Sequence, residues 1–309
     1  MKNLLTIGVL ALLGLPLTAP AQHAREAVIA AEIGFAATAK QAGTKAAFLA
    51  SCAPTAFVAD GGKLANAQEV WAARPAQAAA RLSWYPVLAD AAQSDDLGYT
   101  TGPWTAWLNE RAQAAGEYVT VWRKQPDGQW KFVVDMGIER IGVAPAPTPE
   151  VPAPRLPVAV ATPSAAPSNI LLDLDRRFDA AELIKPGATY KQYLSEEARL
   201  YRPGLSMMHG AAAVANMKNL DRGYLFTPAN CYLAAAGDLG YVVGSLHRGA
   251  TGTTRPEETG SYLRIWRREA TAGWRVVLEV LNMTPDSVPV PAKAAGVSTA
   301  SPGTVGQTH

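Results

Sequence analysis

The sequence contains the same unit twice. Sliding the 309 residues over themselves brings matches into register at offsets between 142 and 145, and a period that long means a whole domain copied, each copy closing its own core. Val28, Ala31 and Phe35 match Leu171, Leu174 and Phe178, the apolar stripe of an amphipathic first helix. Thr44, Phe48 and Leu49 match Thr189, Tyr193 and Leu194, a second short helix for which Thr44 reads as the N-cap. Asp96-Leu97-Gly98-Tyr99 recurs as Asp238-Leu239-Gly240-Tyr241, Gly116-Glu117-Tyr118 as Gly260-Ser261-Tyr262, and Trp122 and Trp130 as Trp266 and Trp274. Chance likeness between two alanine-rich stretches would not keep glycine, tyrosine and two tryptophans in step.

The segments around the copies read differently. Lys2, the apolar run from Leu4 to Leu15 and the small-x-small site Ala19-Pro20-Ala21 form the pattern of an export signal over residues 1–21, so the mature chain is expected to start at Gln22 in the periplasm or outside the cell. That run is shorter than the roughly 20 apolar residues a membrane span requires. Residues 144–168 hold eight prolines in twenty-five and read as an extended linker. Residues 285–309 lack aromatics and read as a disordered tail. Two bodies remain, 22–143 and 169–284.

Composition narrows the function classes. Net charge is +2 with no Lys/Arg cluster, which removes the electrostatic footprint of a nucleic-acid binder. Cys52 and Cys231 are too few for a zinc ribbon and are not repeat equivalents, leaving either a bridge between the bodies or two free thiols. His209 and His247 are the histidines inside a body, and neither Ser206 nor Ser245 beside them sits in a nucleophile-elbow frame. No metal-ligand spacing and no glycine-rich phosphate loop occurs, so neither a metal nor a cofactor is assigned.

Each half reads as helix, short helix, short strand, third helix and then long strands, an α+β order with helices packed on a curved antiparallel sheet. In the first half the later elements fall at 66–73 (helix), 82–91, 97–106, 117–124 and 130–138, and Asp127-Gly128 reads as a two-residue primed turn. That turn puts Arg123 opposite Phe132 and Thr120 opposite Asp135. One sheet face then carries Val119, Val121, Phe132, Val134 and Met136, repeated as Leu263, Ile265, Val276, Leu278 and Val280, and reads as core. The other carries Tyr118, Thr120, Trp122 and Asp135, repeated as Tyr262, Arg264, Trp266 and Glu279. Asp135 and Glu279 have two readings: a pocket acid whose pKa desolvation raises toward acid–base work, or a structural acid bonded to Thr120 in one copy and Arg264 in the other.

The element order, the strand 55–59 before Gly61-Gly62, the Asp-Leu-Gly-Tyr strands, the tryptophan hairpins and the Leu200-Tyr201-Arg202-Pro203-Gly204 turn resemble the nuclear transport factor 2-like superfamily in its SnoaL-like and secreted branches. The resemblance implies two cone-shaped, cystatin-like α+β domains. Members include isomerases, cyclases, hydrolases and adaptors, so the fold names no activity. Steroid-isomerase-like members place a Tyr on the first helix, where this chain has Phe35 and Phe178. Sheets of this family pair as homodimers, which implies an internal pseudo-dimer here, expected through the Trp122 and Trp266 faces.

Two functions follow as expectations. The first is a small-molecule-binding or structural module with a small hydrophobic ligand, no nucleic acid and no membrane span; Asp60, Tyr99, Tyr118, Trp122, Arg202, Tyr241, Tyr262, Arg264 and Trp266 are its pocket or interface residues. The alternative is an acid–base enzyme drawing on Asp60, Tyr99 and Asp135, or on Arg202, His209 and Tyr241.

Overall fold

An apolar line gives α1 (Ala19–Ala42) one buried edge, Ala24, Val28, Phe35 and Ala39, and α4 (Ile170–Ile184) repeats it with Leu171 and Phe178. The computed structural model describes residues 19–76, 81–139, 169–185, 187–210, 223–249 and 257–284. The expected linker and tail, and the expected leader but for its last three residues, lie outside these. Short helices follow in each half, α2 (Thr44–Ser51) and α5 (Ala188–Tyr193). Thr44 is not the cap: it is the first residue inside α2 and buried, and Gly43 at φ 90° turns the chain from α1 into α2, as Gly187 at φ 78° does before α5. So abrupt a reversal needs the positive φ that glycine tolerates. In α3 (Ala67–Ala73) the cap is the expected kind, Asn66 Oδ1 accepting from Glu69 N at 3.1 Å.

The N-terminal sheet consists of β1 (Cys52–Asp60), β2 (Lys63–Asn66), β3 (Arg81–Trp84), β4 (Leu88–Ala91), β5 (Leu97–Leu108), β6 (Arg111–Lys124) and β7 (Trp130–Glu139). Its order is β2-β1-β7-β6-β5-β3, with β4 also on β5 and β1 parallel to β7. The C-terminal sheet consists of β8 (Leu194–Tyr201), β9 (Met208–His209), β10 (Leu225–Leu233), β11 (Leu239–Arg248), β12 (Glu258–Glu269) and β13 (Gly273–Met283). It runs β9-β8-β13-β12-β11-β10 with β8 parallel to β13, the same order strand for strand. Both halves are α+β domains, each a curved sheet of the same strand order beneath its helices. The strand expected at 82–91 is two strands, because Pro86 has no N–H for the ladder; pairing resumes at Val87 N to Thr101 O, 2.9 Å.

The β6–β7 hairpin corrects the expected turn. Gly128 N donates to Gln125 O at 2.8 Å, Gln125 N donates to Gln129 O at 2.8 Å, and Gly128 has φ 82°, which is a three-residue loop with a left-handed glycine. Trp122 therefore faces Phe132, and a bulge between Val121 and Trp122 restores Thr120 opposite Asp135. Phe132, expected on the apolar face, instead packs among Phe35, Phe48 and Trp122 beneath the helices. The second hairpin shifts alike, Trp266 facing Val276 and Arg264 facing Glu279.

A second correction concerns the two sheet faces. Trp122 and Trp266 do not form the contact between domains; each is buried inside its own cone under its first helix. The apolar faces make the contact: Val119, Val121, Val134 and Met136 belong to one continuous core with Tyr241, Val243, Leu263, Ile265, Leu278 and Val280. A flat aliphatic face needs no directional partners and can meet another sheet, whereas buried carboxylates and indoles need hydrogen-bonding groups at set positions, which the helices supply. The rim contacts are reciprocal. Gln93 N donates to Asp238 at 3.1 Å, and at equivalent positions Ala235 N donates to Asp96 at 3.0 Å. Arg267 pairs with Asp90 at 2.5 Å, and its counterpart Arg123 lies 5.0 Å over the Tyr232 ring. Reciprocity of this kind marks an isologous interface, here inside one chain.

Candidate functional site

The N-terminal cone is hollow. A cavity of about 210 Å³ opens between helices and sheet, lined by Phe35, Phe48, Trp71, Trp84, Trp104, Tyr118 and Asp135 among others, with Arg74 at its rim. Ring stacking builds the wall: Phe48 lies on Trp71 at 3.9 Å between centroids, and Phe35 meets Trp84 edge-on at 4.8 Å. Asp135 reaches this space because the bulge returns it to the interior face of β7. Among the described residues its one hydrogen-bond partner is Thr120 Oγ1, at 2.9 Å.

Sequence reading missed the second acid, Glu32. It lies on the inner edge of α1, fully buried, and accepts hydrogen bonds from Trp84 Nε1 at 2.6 Å, Thr100 Oγ1 at 2.5 Å and Trp122 Nε1 at 3.0 Å. Among the described residues no cation pairs with Glu32. Burial raises its pKa, against the pull of those donors. Burial also pushes Asp135 up, to about 7, with Glu32's charge adding to the effect. Two carboxyls that share a desolvated space cannot both ionise cheaply. Tyr118 lines the same cavity, 5% exposed, its hydroxyl without a hydrogen-bond partner among the described residues, while burial and the two nearby acids raise its pKa far above the usual phenol value.

The C-terminal cone holds the same constellation with cations added. Arg264, fully buried at the position equivalent to Thr120, pairs with Asp175 at 3.1 Å, with Asp179 at 2.7 Å and with Glu279 through its Nε. Arg202 pairs with Glu279 as well. Burial works to raise Glu279, but the two guanidiniums outweigh it and hold its pKa below the usual value. Asp179, at the edge of the cluster, is pushed up to about 6 by burial. Tyr262 donates to Asp175 at 2.7 Å and Trp266 to the same carboxylate at 3.3 Å. Glu279 is a buried acid paired with both guanidiniums.

The remaining expected residues scatter. Asp60 is not in the pocket; it is half exposed and pairs with Arg74 at 2.7 Å. Tyr99 and Tyr241 are not in the cones either, since their strands turn them to the domain contact, where Tyr99 neighbours Arg267 and Tyr201 and Tyr241 joins the shared core. Burial raises both phenols, Tyr241 to about 12. His209 is exposed beside Glu197 at 3.3 Å, away from Arg202 and Tyr241. The enzyme set Arg202, His209 and Tyr241 is therefore not assembled. Cys52 and Cys231 are free thiols. No described helix is long and apolar enough to cross a membrane.

Fold and site together define a protein of two α+β domains, with a cavity in the N-terminal one and a buried ion cluster in the C-terminal one. No protein-family model matches the chain, and no curated protein does. Among solved structures it is similar to a nuclear transport factor 2-like protein from Cytophaga hutchinsonii (15% identity, TM-score 0.31, 36% of this chain and 93% of that one). It is similar also to one of unknown function from Pseudomonas putida (17%, TM-score 0.32, 45% and 99%). A third, from Novosphingobium aromaticivorans, has a cystatin-like fold (20%, TM-score 0.29, 36% and 77%). At these identities the likeness is one of fold alone.

Proposed function

We propose that this is an exported small-molecule-binding protein whose N-terminal domain holds the ligand and whose C-terminal domain is its structural partner. The observation that supports this is the contrast between equivalent interiors: about 210 Å³ of aromatic-lined space in one cone, and the Arg264 ion cluster in the other. Apolar concavities with a few convergent polar groups are where small ligands bind. Export rests on the leader pattern of residues 1–21. The test is ligand-observed NMR with indole on the full chain. Wild-type protein should transfer saturation to indole, and Ala59→Trp, which fills the cavity from its lining, should abolish transfer with the melting temperature unchanged. Transfer that survives Ala59→Trp would place binding elsewhere and sink the reading.

A second reading has its own support. Asp135 faces the cavity with a pKa near neutrality, suited to taking and returning a proton. Deuterium uptake at the α-carbon of cyclohexanone, lost in Asp135→Asn, would favour it; uptake no faster than in buffer would not.

A further inference from the structure

The C-terminal domain displays what such a cage accommodates. Arg264 sets its guanidinium between the helix carboxylate Asp175 and the strand carboxylate Glu279, with the rings of Phe226, Phe178 and Tyr262 at 4.2, 4.3 and 5.0 Å. Every one of these partners has a counterpart in the other cone. By helix offset Asp175 and Phe178 correspond to Glu32 and Phe35, and by strand register Glu279, Phe226 and Tyr262 correspond to Asp135, Trp84 and Tyr118. The two cations do not carry over. Arg264 corresponds to Thr120, and Arg202 to Asp60, which faces outward to Arg74. The N-terminal cone has thus kept two of the three acids and the aromatic walls, has Ala36 where Asp179 stands, lost both guanidiniums, and opened a cavity beside them. Tyr118 lines it, and its hydroxyl has no hydrogen-bond partner among the described residues.

We infer that the N-terminal cavity binds a small organic cation, a guanidinium or alkylammonium group on a compact apolar body, whose charge Asp135 meets and whose faces Phe35, Trp84 and Tyr118 cover, with Glu32 buried behind that aromatic wall. This rests on the small-molecule-binding reading and names its ligand class. Aromatic faces attract cations through the ring quadrupole, more strongly once water is excluded. An anion would fit worse: Arg74 is the one cation on the lining, it is already tied to Asp60 and stacked 4.3 Å over Trp71, and the lining's other ionisable carboxyl or cation is the acid Asp135. Binding couples to protons. The titratable groups facing Asp135 are Glu32 from α1 and Tyr118 from β6, with Arg74 and Asp60 at the rim. A cation stabilises the ionised carboxyls, so affinity is full above the free-state pKa of Asp135, about 7, and falls as pH drops through it.

The test is calorimetric titration of the full chain with N-propylguanidinium and with its neutral isostere N-propylurea. At pH 8 the cation should bind at least about tenfold more tightly than the urea, and only the cation should weaken, by up to about tenfold per pH unit, below neutrality. Asp135→Asn should cut cation affinity by about tenfold or more and remove the cation's preference over the urea. Thr120→Arg supplies the guanidinium internally and should abolish cation binding; if that variant fails to fold, Asp135→Asn and the pH series decide. Equal, pH-independent binding of both compounds overturns the cation inference while leaving the binding reading intact. Cation binding unaffected by Asp135→Asn overturns it too. If neither compound binds and indole gives no saturation transfer, both readings fall.

Discussion

At the scale of single residues, Thr120 and Arg264 occupy one position of a duplicated sheet and give the two interiors opposite ionic character. Asp135 titrates near 7 in the folded protein against 3.8 when free, so between these values the native state holds more protons than the unfolded chain. Stability therefore falls as pH rises across that window and is flat above it, by at most about 4 kcal/mol. Asp135→Asn keeps an acceptor for Thr120 and removes the titration; urea unfolding at pH 5 and pH 8 should show the slope in wild type and a reduced one in the variant. In the other cone Arg264→Leu strands Asp175 and Asp179 without a cation, leaves Glu279 to Arg202 alone, and should cost roughly 3–5 kcal/mol by the same measurement at pH 7. Asp135 and Glu279 were legible as a pair because cross-strand register follows from the hairpin. Glu32 was overlooked because only apolar matches along the first helix were weighed. Yet Glu32 sits four residues after Val28 on the buried stripe and aligns with Asp175 at the helix offset, a signal present in the sequence.

At the scale of elements, local chemistry set most boundaries, and the errors arose where one residue changes a ladder. The Pro126-Asp127-Gly128 loop is one residue longer than the expected turn, and the bulge at Trp122 absorbs the extra residue, so register was right beyond the bulge and wrong between it and the turn. Bulges leave no compositional mark, and only packing reveals them. Helix α3 was legible from Asn66 and supplies Trp71, with Arg74 following, to the cavity. Asn66 also donates to Pro54 O at 3.2 Å, tying the helix start to β1. Asn66→Ala should cost about 1 kcal/mol of stability in urea unfolding. It should also weaken indole binding, because a frayed α3 loosens the Trp71 wall; unchanged binding at reduced stability would show that α3 does not shape the cavity.

At the scale of the whole molecule, duplication was legible because matches at nearly constant offset survive even where chemistry has diverged. Which face joins the halves was not, since alternation divides a strand into two faces without saying what covers each. The deciding fact is three-dimensional: the acids of α1 and α4 need the polar, aromatic face beneath them, which leaves the aliphatic faces to each other. An interface of this make-up, closed by reciprocal caps at Asp96 and Asp238, should not depend on the covalent connection. With a protease site inserted within residues 140–168 and cut, the two halves should still elute as one species of monomer mass in light-scattering chromatography at high salt, where surface ion pairs are screened. Ile265→Lys buries an unpaired ammonium in that contact and should cost on the order of 3 kcal/mol or more. The nicked chain carrying it should separate into two species, and co-elution despite the lysine would mean the hydrogen-bonded rim, not the aliphatic face, holds the halves together.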